Sequence, residues 1–173
     1  PKKGIENLLS ACKLLAQKKR LSWSLTIAGT GTPHYTEGNR STVHELQLAK
    51  HVRMPGEVQG FSKRRLLEDS DVGVVPSYIE NFGMVVAEAL AHGVPVIAST
   101  GTPWRHVEKC GCGLFVENDP ESLALAIVKI SRMPLRQMGK LGRDWMATDF
   151  SWDRSAGKMM DTYRELAASR HAN

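Results

Sequence analysis

The sequence has few of the features that mark disulfide-rich, membrane-spanning or repetitive proteins. Its 173 residues include only three cysteines, and an odd number argues against a disulfide framework. No apolar run approaches the roughly 20 residues that a helix needs to cross a bilayer. There is no internal repeat and no low-complexity stretch. With 42% hydrophobic and 24% charged residues, the composition is that of an ordinary globular protein. We therefore expect a single domain over residues 1–173.

The three cysteines do not form a redox or metal motif. Cys110 and Cys112 are separated by one residue, which is too close for a Cys-x-x-Cys pair, and no second pair accompanies them. No group of histidines and cysteines has the spacing of metal ligands. We therefore expect free thiols in a reducing, cytoplasmic compartment, with no metal site and no cofactor.

The charge of the chain is moderately positive, with a net value of +5. Basic residues cluster at positions 18–20 and 63–65, without interleaved aromatic residues. Such clusters are usually solvated faces, and no nucleic-acid partner is expected. Attraction to a phosphate-bearing ligand or to an anionic membrane surface stays open as an alternative.

Apolar periodicity and turn residues predict an alternation of helices and strands. Strands are expected at residues 25–28, 54–58, 72–75, 94–98 and 113–116. Helices are expected at residues 4–19, 37–51 and 61–70, after Gly83, after Pro120, after Pro134 and after Asp153, with a loop at 99–108. This order predicts an α/β fold, a Rossmann-like doubly wound parallel sheet with helices on both faces.

The central unit of this pattern covers residues 72–98. A short valine-rich run suits a buried strand, and Pro76 ends its ladder pairing. A polar loop follows, with Gly83 at the entrance of a mostly apolar helix that ends at Gly93. The next strand completes a βαβ crossover in a parallel sheet.

Two carboxylates, Glu80 and Glu88, have seven residues between them in this unit. Glu80 stands at the carboxyl edge of the preceding strand, where open α/β sheets bind ligands. The N–H groups of Phe82, Gly83 and Met84 at the helix start favour an anion such as a phosphate. Glu88 interrupts the apolar helix, and a buried carboxylate needs a partner. It binds a ligand, or it has a structural role in which it caps a backbone amide or pairs with a basic neighbour.

The residues from Glu80 to Glu88 read E-N-F-G-M-V-V-A-E and continue as A-L-A-H-G-V-P-V-I. With Pro76 and Ser77 before it, this pattern resembles the E-x7-E signature of retaining glycosyltransferases of the GT-B architecture. That family includes sucrose synthases and bacterial mannosyl- and glucosyltransferases. The resemblance runs along nearly the whole chain and implies a C-terminal, donor-binding domain. In the family a strand, a glycine-rich loop and an N-terminal acceptor domain precede the position of residue 1.

The resemblance also implies a role for each matching residue in holding a nucleotide-sugar donor. Glu80 matches the glutamate beside the transferred sugar and is the catalytic candidate. Glu88 matches the glutamate that accepts hydrogen bonds from the ribose hydroxyls, for which a carboxylate is well suited. Lys3 matches the lysine that neutralises the diphosphate; alternatively it is a frayed terminal lysine. The other donor-binding candidates are Asn81, Phe82, Gly83, Met84 and Val85 near the sugar and diphosphate, and Val58, Gly60 and, more weakly, Lys63 near the base.

The expected function is therefore sugar transfer from a nucleotide-diphosphate sugar to an acceptor, with retention of the anomeric configuration, in polysaccharide or lipopolysaccharide biosynthesis. The resemblance implies no metal, an N-terminal acceptor domain as partner, and no activity of this chain alone. It leaves open a peripheral association with the inner face of the cell membrane. Alternatives are a nucleotide-sugar epimerase of the same fold and a non-catalytic nucleotide-sugar-binding domain.

Overall fold

Helices and parallel strands alternate from the first helix to the sixth, and two further helices follow. The computed structural model describes residues 2–18 and 21–170. The strands are β1 (Leu25–Ala28), β2 (Val52–Gly56), β3 (Gly73–Val75), β4 (Val96–Ser99) and β5 (Gly113–Val116). The helices are α1 (Ile5–Lys18), α2 (Pro33–Glu45), α3 (Gly60–Glu68), α4 (Met84–Ala91), α5 (His106–Lys109), α6 (Pro120–Ile130), α7 (Leu135–Asp149) and α8 (Trp152–Arg170).

All ladders between the described strands are parallel, as predicted. They form two sheets, one of β1 and β2 and one in the order β3-β4-β5. In the larger sheet, Val74 of β3 lies opposite Ile97 of β4, which lies opposite Leu114 of β5. Parallel neighbours need a crossover, and α4 supplies it between β3 and β4. The predicted α/β class is confirmed.

Helices cover both faces of the larger sheet, because successive side chains of a strand point to opposite faces. On one face, Val96 and Ala98 of β4 are buried in a cluster to which α4, α5 and α7 contribute. On the other face, Ile97 is buried in a cluster with residues of α1 and α6. All four residues of β4 are buried. The strand that leads to the loop after residue 99 is therefore fixed by packing on both sides.

The second helix and the second strand are shifted along the chain, and β4 covers residues 96–99 instead of 94–98. The second helix begins at Pro33 instead of residue 37, because the Thr32 hydroxyl accepts a hydrogen bond from the Tyr35 N–H at 3.3 Å and Pro33 takes the first helical position. It ends at Glu45 instead of residue 51. The second strand covers residues 52–56 instead of 54–58, with an irregular register against β1. Val58 consequently lies in the loop beyond this strand.

Smaller differences concern single turns. The segment 99–108, expected as a loop, runs into the one-turn helix α5. Helix α3 covers residues 60–68 instead of 61–70. Of the predicted first helix, Lys19 lies outside the described residues, as does Arg20 of the first basic cluster. None of the helices described here has the combination of length and apolar character that a membrane crossing requires.

Candidate functional site

The candidate site lies at the carboxyl end of the larger sheet, where the loops after β3 and β4 meet. The Glu80 N–H donates to the Gly101 carbonyl oxygen at 2.9 Å and so joins the two loops. A Cβ atom at Gly101 would lie 2.3 Å from the Tyr78 carbonyl oxygen, so only glycine permits this approach. The backbone contact holds Glu80 at the carboxyl edge of the sheet, as the sequence predicted for a residue that follows a strand.

Glu80 is held by two donors that bond the same carboxylate oxygen. The Ser77 hydroxyl donates to Oε1 at 2.9 Å, and the Lys3 ammonium donates to Oε1 as well. Burial of the carboxyl acts to raise its pKa, but the hydrogen bonds from Lys3 and Ser77 outweigh it, so the pKa of Glu80 lies below its ordinary value. Glu80 is thus an ionised acceptor near neutral pH. Among the described side chains none donates to its second oxygen, Oε2.

Lys3 lies at the site, with its ammonium bonded to Glu80. The Lys2 carbonyl oxygen accepts a hydrogen bond of 2.9 Å from the Tyr78 N–H, which fixes the backbone just before Lys3. The Lys3 side chain is 62% exposed although its ammonium contacts Glu80. A role of Lys3 in neutralising a diphosphate stays a prediction.

Glu88 also has a lysine partner. The Lys63 ammonium, carried by α3, donates to Glu88 Oε1 at 2.6 Å, and both side chains are partly exposed. This is the basic neighbour that the structural alternative for Glu88 required. Ribose binding by Glu88 therefore stays a prediction. The ion pair joins a side chain of α3 to one of α4.

The predicted base-binding residues differ in their surroundings. Val58 is half-buried and Gly60, the first residue of α3, is exposed with a φ of +53°. A non-glycine residue would be strained in that left-handed region. Both positions precede Lys63 in the chain, the residue that pairs with Glu88.

The loop between the glutamates is anchored by Trp104, a residue to which the sequence pattern gave no role. Its indole Nε1–H donates to the Phe82 carbonyl oxygen, and its ring lies edge-on to the Phe82 ring with centroids 5.1 Å apart. Gly83 adopts a φ of +77°, and a Cβ atom there would lie 3.2 Å from Trp104 Nε1. Glycine is therefore needed at the entrance of α4 for two reasons, conformation and space.

The first residues of α4 and the loop before it face solvent. Asn81, Phe82, Met84 and Val85 are exposed, whereas Gly83 is buried beneath them. Backbone N–H groups at the start of a helix have no partner within the helix, and the helix dipole gives this end a positive potential. With Lys3 and Lys63 nearby along the same edge, this end of the sheet suits a negatively charged ligand.

Ser77 is the second residue that the sequence pattern left without a role, although Pro76-Ser77 was part of the matching motif. It is 1% exposed, and its hydroxyl is one of the two donors to Glu80. The signal that could have found it is its position: it is a small polar residue three places before a carboxylate, immediately after a buried strand. Side-chain hydrogen bonds over such short separations are common in turns.

The described residues contain no group of three or more His, Cys, Asp or Glu side chains that could hold a metal ion. The sequence does contain one Asp-x-Asp pair, Asp69 and Asp71. This pair precedes β3, so it lies at the amino end of that strand, whereas Glu80 follows the carboxyl end. Asp69 pairs with Arg65 at 3.7 Å.

Comparison with known proteins decides the family. Residues 1–145 match the family described as glycosyl transferases group 1. The chain belongs to this family. The GT-B, Rossmann-like fold expected for a C-terminal domain of such an enzyme is thereby confirmed, and solved glycosyltransferase structures agree with it.

Individual group 1 relatives cover the chain almost completely. It is 32% identical to a GDP-mannose-dependent alpha-(1-6)-phosphatidylinositol monomannoside mannosyltransferase of Mycobacterium tuberculosis, over 98% of this chain and 46% of that protein. A sucrose-phosphate synthase of Thermosynechococcus elongatus is 31% identical, with a TM-score of 0.80, over 97% of this chain and 43% of the other. Anabaena HepE, solved in complex with UDP and glucose, is 18% identical with a TM-score of 0.81, over 95% and 46%, and shows the fold alone. The chain thus spans about half the length of the group 1 relatives that it matches.

Proposed function

We propose that this chain binds the nucleotide-sugar donor of a glycosyltransferase. The observation that carries the proposal is the pairing of each motif glutamate with a lysine at one sheet edge, beside the start of α4. The site thereby offers carboxylate oxygens for sugar hydroxyls, and cations with backbone amides for a diphosphate. Both chemical halves of a nucleotide sugar find suitable partners there.

The proposed roles follow the family pattern. Glu88 accepts hydrogen bonds from the ribose hydroxyls, and Glu80 lies beside the transferred sugar. Lys3 and the amides from Asn81 to Val85 hold the diphosphate and nearby sugar hydroxyls, while Val58 and Gly60 face the base. Lys63 holds Glu88 and is the weaker candidate for a base contact. Positioning and electrostatic stabilisation of the leaving diphosphate would then supply most of the catalysis.

The complete protein, in this proposal, transfers a sugar to an acceptor with retention, without a metal ion, in the synthesis of a polysaccharide or lipopolysaccharide at the cytoplasmic face of the membrane. The acceptor would be bound by an N-terminal domain, so this chain alone would transfer no sugar. The names of the relatives support donor-dependent transfer over the epimerase alternative. A non-catalytic donor-binding domain remains the second candidate, because the described residues suit binding as well as catalysis.

Thermal unfolding of this chain with a panel of donors tests the proposal. A ligand that binds only the folded state raises the melting temperature. The panel contains UDP-, GDP- and ADP-sugars and begins with GDP-mannose. We expect the sugars of one of these nucleotides to raise the melting temperature, and the free sugar to leave it unchanged. Glu88→Ala is the matched control that should lose the shift. A panel in which no nucleotide sugar moves the melting temperature would contradict the proposal.

A further inference from the structure

Three buried hydroxyl residues lie together beneath Glu80. Ser77 follows β3, Ser99 ends β4, and Thr102 lies in the loop after it. All three are buried, and Asn39 is the other buried polar residue in the described part of the chain. A hydroxyl buried without a hydrogen bond costs free energy, so such a cluster is retained only where its members bond one another or a neighbour.

Each hydroxyl donates one hydrogen bond, two to backbone carbonyl oxygens within the cluster and one to Glu80. Thr102 Oγ1 donates to the Ser99 carbonyl oxygen at 2.8 Å, and Ser99 Oγ donates to the Ser77 carbonyl oxygen. Ser77 Oγ then donates to Glu80 Oε1. The Ser99 bond fixes the backbone of Ser77 but does not use its hydroxyl. Among the described residues, that hydroxyl has Glu80 as its hydrogen-bond acceptor.

Ser77 and Lys3 bond the same oxygen but differ in exposure to solvent. Lys3 is 62% exposed, so its ammonium is open to solvent on one side, whereas Glu80 is only 14% exposed. Ser77 is 1% exposed and is fixed through Ser99, so its hydroxyl stays in place when a ligand arrives. Because both bonds end on Oε1, the Oε2 oxygen of Glu80 is the one that can accept a hydrogen bond from a ligand.

We propose that Ser77 is a positioning residue that orients the Glu80 carboxylate toward the sugar of the donor, with and without Lys3 in contact. Ser99 and Thr102 support it by fixing its backbone. The inference rests on the proposed function, because it names how the sugar-facing glutamate of that same site is held. A hydroxyl with only a structural role would affect folding and leave the properties of Glu80 unchanged.

The test compares Ser77→Ala with Ser70→Ala in this chain. Ser70 is a matched control, because its hydroxyl donates to the Leu66 carbonyl oxygen at 2.6 Å and has no part in the Glu80 network. Carboxyl-carbon NMR titration measures the pKa of Glu80. The charge of Lys3 also lowers this pKa. Calorimetry follows the affinities for the nucleoside diphosphate and for its sugar conjugate.

We expect Ser77→Ala to raise the pKa of Glu80, because one of the bonds that lower it is lost. Bare nucleotide affinity should stay unchanged, whereas the extra affinity due to the sugar should fall about tenfold, the effect of losing one bond to a charged group. Ser70→Ala should change neither. Ser77→Cys, nearly the same size but a weak donor, should behave as Ser77→Ala and covers the case in which the alanine variant does not fold.

Two outcomes would overturn the inference. An unchanged pKa of Glu80 in both Ser77 variants would show that the hydroxyl does not act on the carboxylate. Equal loss of bare nucleotide and nucleotide sugar would show a general structural effect. If the unsubstituted chain binds no nucleotide sugar, the proposed function fails and the sugar-positioning role fails with it, whereas a raised pKa of Glu80 in Ser77→Ala would still establish the hydroxyl's action on the carboxylate.

Discussion

Each motif glutamate is paired with a lysine. Lys63 and Glu88 are both about one-third exposed or more, and Lys3 is more exposed than either. Exposed ion pairs contribute only about 0–1 kcal/mol to stability, because solvent screens them and long side chains lose freedom. The exposed Lys63–Glu88 pair therefore contributes little to folding, whereas the Glu80 carboxylate is only 14% exposed and depends on its donors. Lys3 helps to lower the pKa of Glu80, and Lys63 bonds one carboxylate oxygen of Glu88.

Sequence and structure differ most clearly in these contacts. The glutamates and Lys3 could be named from the motif, because their types and spacing are local properties of the chain. Their partners could not, since Lys3 and Glu80 are 77 positions apart and Lys63 and Glu88 are 25 apart. Only the packing of α1 and α3 around the sheet decides which lysine meets which carboxylate. Trp104 was missed for the same reason.

The cysteines give a prediction at this scale. Burial raises the pKa of the Cys12 and Cys112 thiols to about 12, and it also raises the pKa of Cys110, which is only half-buried. Because the thiolate is the reactive form, a thiol reagent near pH 8 should label Cys110 first and leave the other two largely unlabelled. Mass spectrometry of peptides measures this, and labelling in denaturant, where all three react, is the control. Early labelling of Cys12 or Cys112 would contradict the buried core described here.

At the scale of elements, the close approach of α7 to the end of α4 depends on glycine. A Cβ atom at Gly139 of α7 would lie 1.9 Å from the Gly93 carbonyl oxygen, just after α4. Met146 of α7 also packs in the core cluster that holds α4 and β4. Helix α4, which carries Glu88, is thus held at its carboxyl end by a contact with α7 that leaves no room for a side chain.

A pair of glycine substitutions tests this contact. Gly139→Ala should lower the free energy of unfolding by about 1–3 kcal/mol, the usual cost of overpacking. Gly157→Ala is the matched control, because Gly157 lies in α8 with nothing within 4 Å of an added Cβ atom. It should be neutral or raise the free energy of unfolding by up to about 1 kcal/mol through helix propensity. Urea denaturation measures both, and equal effects would rule out the packing argument.

Local signals explain which elements could be predicted. Asp119 accepts a bond of 2.8 Å from the Ser122 N–H and Pro120 begins α6, so the expected start of that helix is confirmed. The same kind of signal, Thr32 before Pro33, was overlooked for α2. Helix α5 has only four residues. A single turn carries too little periodicity to be separated from a loop.

At the scale of the whole molecule, the fold brings one edge of a parallel sheet, the start of α4 and two lysines together without an acidic metal cluster in the described part of the chain. The family and the α/β class followed from the motif and the order of elements. The separation of the ladders into two sheets did not, because hydrogen bonding between strands far apart in the chain has no local signature. The chain covers about half of its relatives, so sugar transfer is a property proposed for the complete protein.

Metal independence is the prediction at this scale. Positive charge for a diphosphate would come from Lys3 and the helix start, so nucleotide binding by this chain should be the same in EDTA and in Mg²⁺ or Mn²⁺. Calorimetry in the two buffers measures it. Lys3→Met is the matched variant that should weaken binding in both. Binding that is abolished by EDTA and restored by Mn²⁺ or Mg²⁺ would contradict the prediction.

The most direct test of the central claim is calorimetry of this chain with a bare nucleotide and its sugar conjugate, for two glutamate variants. Glu88→Ala should weaken both ligands alike, by about 1–3 kcal/mol, because a bond between ribose and a charged group is lost. Glu80→Gln keeps the shape and removes the charge, so bare nucleotide affinity should hardly change while the gain from the sugar falls. A thermal melt of each variant controls for unfolding. Equal loss of bare nucleotide binding in both variants would contradict the assignment of ribose to Glu88 and sugar to Glu80.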